Sequence, residues 1–435
     1  MSDAHPSFAE ATKLWFKIGC LGFGGPAGQI ALMHRLVVDE RKWVGEAQFL
    51  HALNFCMLLP GPEAQQLATY LGWLLHGVKG GLVAGILFVL PGFCVILALS
   101  AAYAAFGQLP WLMGVFFGLK CAVIALVAEA LWRVAKRALK QPIHVVVAVL
   151  AFLALFVLRI PFPLVILAAA LVGLVMVLRS SGEMPSNASE KVLVQSATAP
   201  HPMRTILLGA VLWLGPIALL ARVLGSDHVF PQMGWFFAKM AVVTFGGAYA
   251  VLAYVAQQAV QNYGWLTTSN MIDGLALAET TPGPLILVLS FVGYYAAHQQ
   301  PGTLPSLLAG TLGAIFVTWV TFVPSFIWIF LGAPYIERLR QNRYLSAMLA
   351  MVTAAVVGVI ANLALWFALH VLFRGVTEVT IGFATFAWPD WRSADLAALA
   401  LSLAAGLALL RWRINLVKVL LATGALGYLA HAAIS

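Results

Sequence analysis

Charge is scarce in this chain. Only 9% of its 435 residues are charged while 62% are hydrophobic, and the mean hydropathy is +0.93. Soluble domains carry about 25% charged residues, so a water-soluble core is excluded and an integral membrane protein is implied. The net charge of +9 does not signal nucleic-acid binding, because the basic residues scatter through short loops, as cytoplasm-facing segments place them. Cysteine is nearly missing too. Cys20, Cys56, Cys94 and Cys121 all lie in apolar segments of the first half, without a CxxC pair or a histidine at zinc spacing. That excludes a zinc site or disulfide framework and leaves small packing residues; no cofactor and no metal is expected. The opening MSDAHPSFAEATK lacks the basic region, apolar stretch and cleavage site of a secretory leader. There is no Gly-x-Ser-x-Gly, no HExxH and no Walker A. No soluble domain is large enough for ATP hydrolysis, so an enzyme is not expected and energy must come from ion gradients.

What is present is apolar sequence in stretches of about 20 residues, each long enough for a span. They fall near 8–34, 47–76, 80–106, 111–132, 143–158, 161–178, 205–224, 234–258, 270–297, 303–332, 344–372, 395–410 and 414–434. The expected fold is therefore an all-α polytopic membrane protein of about 13 segments. The Ser-, Pro- and Ala-rich stretch around 179–204 reads as a linker. It separates an N-terminal membrane repeat, 1–178, from a C-terminal one, 205–435, with one extra leading helix.

The two parts are related. A shift of 222 positions lays Lys17 on Lys239, Phe23-Gly24-Gly25 on Phe245-Gly246-Gly247, Trp43 on Trp265 and Pro60-Gly61-Pro62 on Pro282-Gly283-Pro284. Over the 46 positions 17–62 there are 11 identities, mostly Gly, Pro, Trp and Lys rather than interchangeable aliphatics. Seven segments separate the two starts, so the second copy is inverted, as in many secondary transporters whose substrate site lies between the repeats. Lysine and arginine concentrate after even-numbered segments, above all at Arg133, Lys136, Arg137 and Lys140. This sets the N-terminus in the cytoplasm and the C-terminus outside. The loop RLVVDERKW breaks that pattern unless it belongs to a re-entrant hairpin.

The breaks carry the chemistry. Paired glycines at Gly24-Gly25, followed by Pro26, and at Gly246-Gly247 allow the backbone to unwind or approach a ligand; close helix packing is the plainer alternative. In each Pro-Gly-Pro the prolines lack an N–H and turn the preceding residue out of the helix. A new half-helix starting there presents free N–H groups and a positive dipole end, which suits an anion. A simple kink explains one such triplet but not the same triplet in inverted copies. Gln29, Gln65 and Gln66 are expected to add donors, and Lys17 and Lys239, each six residues before its FGG, a cationic pair; snorkelling to the interface is the alternative. Glu63 follows the first triplet and Glu279 precedes the second. Carboxylates inside spans are costly and usually functional, so these two are the expected proton carriers.

At these motifs the sequence resembles the chromate ion transporter family in its long, two-domain bacterial form. The resemblance rests on FGGPAGQIALMHR, RKW, LLPGPEAQQLATYLGW and GGLVAGILFVLPG in the first half. In the second it rests on FGGAYAVLAYVAQQAV and GLALAETTPGPLILVLSFVGYYAA. It implies two homologous domains of opposite orientation in a bacterial inner membrane, exporting chromate on the proton motive force and so conferring chromate resistance. The partners expected are chromate or a similar oxyanion and the lipid bilayer, with a homodimer allowed. A sulfate-like oxyanion permease and a non-transporting membrane scaffold are the alternative functions.

Overall fold

The structure is a computed structural model that describes residues 6–179, 202–245, 248–332, 342–382 and 384–434. The linker expected over 179–204 lies mostly outside these residues, as do Gly246 and Gly247. Sixteen α-helices follow one another among the described residues: α1 Phe8–Leu21, α2 Gly25–His34, α3 Glu46–Cys56, α4 Glu63–Phe106, α5 Pro110–Ala138, α6 Pro142–Phe156, α7 Phe162–Arg179, α8 Pro202–Leu224, α9 Val229–Val243, α10 Ala248–Gln257, α11 Thr268–Thr280, α12 Val288–Gln299, α13 Ser306–Gly332, α14 Arg343–Leu372, α15 Leu396–Gly406 and α16 Leu416–Ile434. Six of them, α4, α5, α7, α8, α13 and α14, are long and apolar enough to cross a membrane.

The halves repeat each other in local detail. Both have a π-helical turn after the second helix, Arg35–Glu40 and Gln258–Asn262. Behind each turn the backbone N–H of a tryptophan closes the loop: that of Trp43 donates to Val37 O at 2.9 Å and that of Trp265 to Ala259 O at 2.8 Å. Helix α1 begins at a capping box in which Ser7 and Glu10 satisfy each other's backbone N–H groups. Helix α4 bends back on itself at His76 and Gly77, the latter at φ +61°, so that Gly72 packs against Gly80 and Ala84. Helix α8 is mostly exposed.

Four of the thirteen apolar segments are not single helices. The stretch 8–34 is α1 plus α2, and 47–76 is α3 plus the first arm of α4; 234–258 and 270–297 break the same way. In the first half both pairs return to the end where they start. His76 Nε2 lies 2.9 Å from Pro6 O, its ring meets Phe8, and Arg41 is close enough to Glu10 to act on its charge. Hydropathy alone cannot separate a re-entrant pair from a crossing one, because both bury a similar apolar length. The basic loop RLVVDERKW therefore joins the end that carries His76 and Lys79 and no longer breaks the charge pattern.

The repeats are clasped through exchanged helices. A Cβ on Gly118 of α5 would run into Thr423 O of α16, and one on Gly358 of α14 into Ala148 O of α6. Small residues let membrane helices approach this closely. Gly118→Leu is expected to cost about 3 kcal/mol, the upper range for overpacking, because the atom it meets is backbone. Gly215→Leu in α8, where the nearest atom is Val211 Cγ1 at 3.9 Å, should change stability by less than about 0.5 kcal/mol. Thermal unfolding in detergent separates the two.

Among the described residues one element is not helical. Strands β1, Val376–Ile381, and β2, Ala384–Pro389, form an antiparallel hairpin in the region 374–394. It is fastened to the α6–α7 turn by Thr385 N–H donating to Val157 O at 2.9 Å and by an Arg159–Glu378 ion pair at 2.6 Å.

Candidate functional site

The breaks of the two repeats meet each other. Gly61 N–H donates to Thr244 O, and Gly283 N–H donates to Gly22 O, both at 2.9 Å. These are the same bond made twice, since 61 and 283 correspond under the repeat, as do 22 and 244. Both Pro-Gly-Pro glycines take a left-handed φ, +124° at Gly61 and +92° at Gly283, as do Gly24 at +86° and Gly25 at +69°. Gln29, wholly buried, donates through Nε2 to Gly22 O at 3.1 Å and to Gly283 O at 2.6 Å. Gln66 Nε2 donates to Pro60 O at 2.7 Å, and Gln65 Nε2 to Thr69 Oγ1 at 3.0 Å. The sequence expectation has these three glutamines donating to an anion. Instead Gln29 and Gln66 turn their amide nitrogens to carbonyls at the breaks, which must be satisfied where no water reaches them, and Gln65 turns its own to the Thr69 hydroxyl.

With those carbonyls tied, the helix starts remain. Pro26 of α2, Pro62 to Ala64 at the start of α4, Ala248 at the start of α10 and Pro284 to Ile286 at the turn into α12 all line one small cavity of about 20 Å³. The first-turn N–H groups of a helix have no partner within it, and Pro62 supplies no side-chain cap. Four positive dipole ends, two from each repeat, thus converge on one point. The cavity as it stands holds about one water.

The charges around it differ from the sequence expectation. Lys17 lies on the exposed face of α1 beside Lys13 and Phe16, and Lys239 on the exposed face of α9; neither lines the cavity. The cations that do approach the breaks are Arg133 and Arg137 of α5. Arg137 Nη2 lies 3.7 Å from Met57 Sδ and acts on the charge of Glu63. Arg133 pairs with Glu129 at 3.0 Å and acts on Glu279. Glu63 lines the cavity. Glu279 does not; it is 8% exposed and accepts a hydrogen bond from Tyr249 OH at 2.7 Å.

The profile of a family described as Chromate transporter matches residues 9–174 and 231–428. The chain belongs to the chromate transporter family. The two matched stretches bracket α1–α7 and α9–α16, leaving α8 between them. Among relatives, the chromate transport protein of Pseudomonas aeruginosa is 32% identical over 97% of this chain and 92% of its own. That of Cupriavidus metallidurans is 30% identical over 81% and 80%, and a probable chromate transport protein of Synechococcus elongatus 29% over 82% and 84%. No solved structure matches the chain. Family membership and the apolar helices together make this a multi-pass membrane protein.

In this family member a second buried polar cluster escapes the sequence reading. Asp273 of α11 accepts from Tyr103 OH at 2.8 Å, and Asn270 Nδ2 donates to the same Tyr103 oxygen at 2.9 Å. Lys120 Nζ lies 3.2 Å from Asp273 Oδ1 without hydrogen-bond alignment and donates to Ser269 Oγ at 2.6 Å. The cluster ties α4 and α5 of the first repeat to the helix that leads into the second Pro-Gly-Pro. An aspartate within an apolar segment is the available signal, and Asp273 stands only six residues before Glu279.

Proposed function

We propose that the protein is a secondary transporter that exports chromate, a tetrahedral oxyanion, across the bacterial inner membrane on the proton motive force, so giving chromate resistance. The reading rests on one observation above all: four half-helix starts from two inverted repeats line a single cavity, while the carbonyl ends beside them are already hydrogen-bonded. Such a point favours an anion over a cation or a neutral solute. Curated relatives over most of the chain are named for chromate transport, which supports that oxyanion. The repeats are taken as 1–178 and 205–435, related by duplication, with α8 as the extra leading helix.

The basic end of the molecule, with Lys79, Arg133, Arg137 and the loop after α2, is placed in the cytoplasm by the positive-inside rule. The N-terminus then lies inside and the C-terminus outside. Arg133 and Arg137 face the breaks from that end and would draw an anion from the cytoplasm. Glu63, which lines the cavity, is the carboxylate we assign to proton coupling; Glu279, held by Tyr249, takes a supporting place. The sites are proposed at Pro26, Pro62, Glu63, Ala64, Pro284 and Ile286. A scaffold has no need of such paired breaks. Cells expressing the protein should accumulate less labelled chromate than controls. Equal accumulation, or sulfate import in its place, would contradict export of chromate.

A further inference from the structure

The amide of Gln29 has an orientation that its surroundings decide. Two carbonyl oxygens, Gly22 O and Gly283 O, lie within hydrogen-bond reach of Nε2, and reversing the amide would set Oε1 against both. The NH₂ must therefore face them, and Oε1 is left as an acceptor. That oxygen is buried and has no donor among the described residues, although Gln29 lines the cavity. Gln65 Oε1 and Gln66 Oε1, from the first turn of the helix that bounds the cavity, are also buried without donors. A buried acceptor left unmade carries a desolvation penalty, and the one that belongs to the cavity lining, Gln29 Oε1, calls for a hydrogen-bond donor there; Gln65 and Gln66 stand behind the lining.

The acceptors come from one repeat only. The positions matching Gln29, Gln65 and Gln66 are Val251, Leu287 and Val288; the second repeat contributes Thr244, whose hydroxyl donates to Met240 O, together with the apolar Ala248, Pro284, Leu285 and Ile286. A fully ionised tetrahedral oxyanion has four equivalent acceptor oxygens and nothing to give Gln29. A monoprotonated one has three acceptors for the helix starts and one hydroxyl. It also carries half the charge, and the Born cost of bringing an ion out of water scales with charge squared. The remaining charged groups facing the breaks are Glu63 on α4, Arg133, Arg137 and Glu129 on α5, and Glu279 beside Tyr249 on α11 and α10. An ionised Glu63 repels a dianion more than a monoanion.

We infer that the cavity takes its oxyanion in the monoprotonated form, with the hydroxyl donated to Gln29 Oε1. This rests on the transport reading above and specifies the protonation state of its substrate. No bond to the central atom forms or breaks; the substrate proton travels with the oxyanion and is distinct from the coupling proton assigned to Glu63.

The test is chromate flux into proteoliposomes of the full chain, from about pH 6 to about pH 8, with KM determined at each pH. Above the acid constant of hydrogen chromate, KM in total chromate should rise about tenfold per pH unit, since the protonated fraction falls by that factor. Counted as hydrogen chromate it should stay constant. Sulfate, which remains a dianion over this range, should compete poorly. Glu63→Gln, whatever its maximal rate, should keep the rise in KM. Gln29→Lys retains donors for Gly22 O and Gly283 O but loses the acceptor, so the rise should vanish; its thermal unfolding in detergent confirms that it folds. A KM independent of pH in the unmodified protein would overturn the inference while leaving transport intact. So would a rise lost in Glu63→Gln but kept in Gln29→Lys, which assigns the proton to the carboxylate. No flux at any pH would remove the transport reading itself, and this inference with it.

Discussion

Gly61→Leu and Gly283→Leu are each expected to abolish chromate flux while membrane abundance is unchanged. Both glycines hold a left-handed φ that an L side chain adopts only at a cost of about 1–3 kcal/mol. Space is closed as well. A Cβ on Gly61 would lie 2.8 Å from Gln66 Nε2 and 2.9 Å from Ser325 Oγ, and one on Gly283 would lie 3.0 Å from Leu287 Cδ1 and 3.3 Å from Gly92 Cα. Leucine at either point must displace the N–H that reaches across to the other repeat, and with it the helix starts that line the cavity. The cost is small against the stability of so large a helical body but large against the placement of a site, where a shift of about 1 Å suffices to lose function. Gly225→Ala serves as the control: Gly225 has φ +87°, and a Cβ there would meet no atom within 4 Å, so it shares the backbone strain without the site. Normal flux in both leucine variants would end the site assignment.

The second large effect concerns Lys120 and Asp273. Lys120→Met is expected to destabilise the protein by about 3–5 kcal/mol, because it leaves a buried carboxylate without its counter-charge. Asp273→Leu should cost less, since Lys120 is the more exposed partner, with 20% of its side chain accessible against 5% for Asp273, and keeps Ser269. The double variant Lys120→Met/Asp273→Leu should recover most of the loss, as apolar replacement of a buried pair is often close to neutral. Thermal unfolding in detergent gives the double-mutant cycle. Additive losses would mean that the pair is not energetically coupled and that the cluster does not hold α11 to α5.

The broken helices can be read from residues because glycine and proline act on the backbone where they stand. Pro60-Gly61-Pro62 needs no partner to end a helix, and its repetition at 282–284 pairs the two breaks. The repeat alignment carries further than any single motif, since it anticipates the reciprocal bonds at Gly61 and Gly283 by pairing 22 with 244. What fails is everything set by tertiary return. Whether 8–34 crosses or doubles back depends on where Arg41 lands relative to Glu10, and hydropathy is silent on that. Lys17 and Lys239 share a position in the repeat, but the buried face of α1 is set by Leu14, Trp15 and Ile18 against α4, and it turns Lys17 outward. The cations that approach the breaks, Arg133 and Arg137, stand in sequence as one more basic cluster at a helix end. Gln29 shows the same limit at atomic scale: sequence locates it beside the break, and only the two carbonyls around its amide decide which atom is left to act.

The oxyanion is proposed to sit where the helix starts of both repeats converge. Chromium scatters anomalously, so crystals of the protein soaked in chromate and measured near the chromium absorption edge locate the anion directly. An anomalous peak is expected between Pro62–Ala64 and Pro284–Ile286, and none in crystals of Gly61→Leu. A peak beside Lys17 or Lys239 with none at the breaks would contradict it.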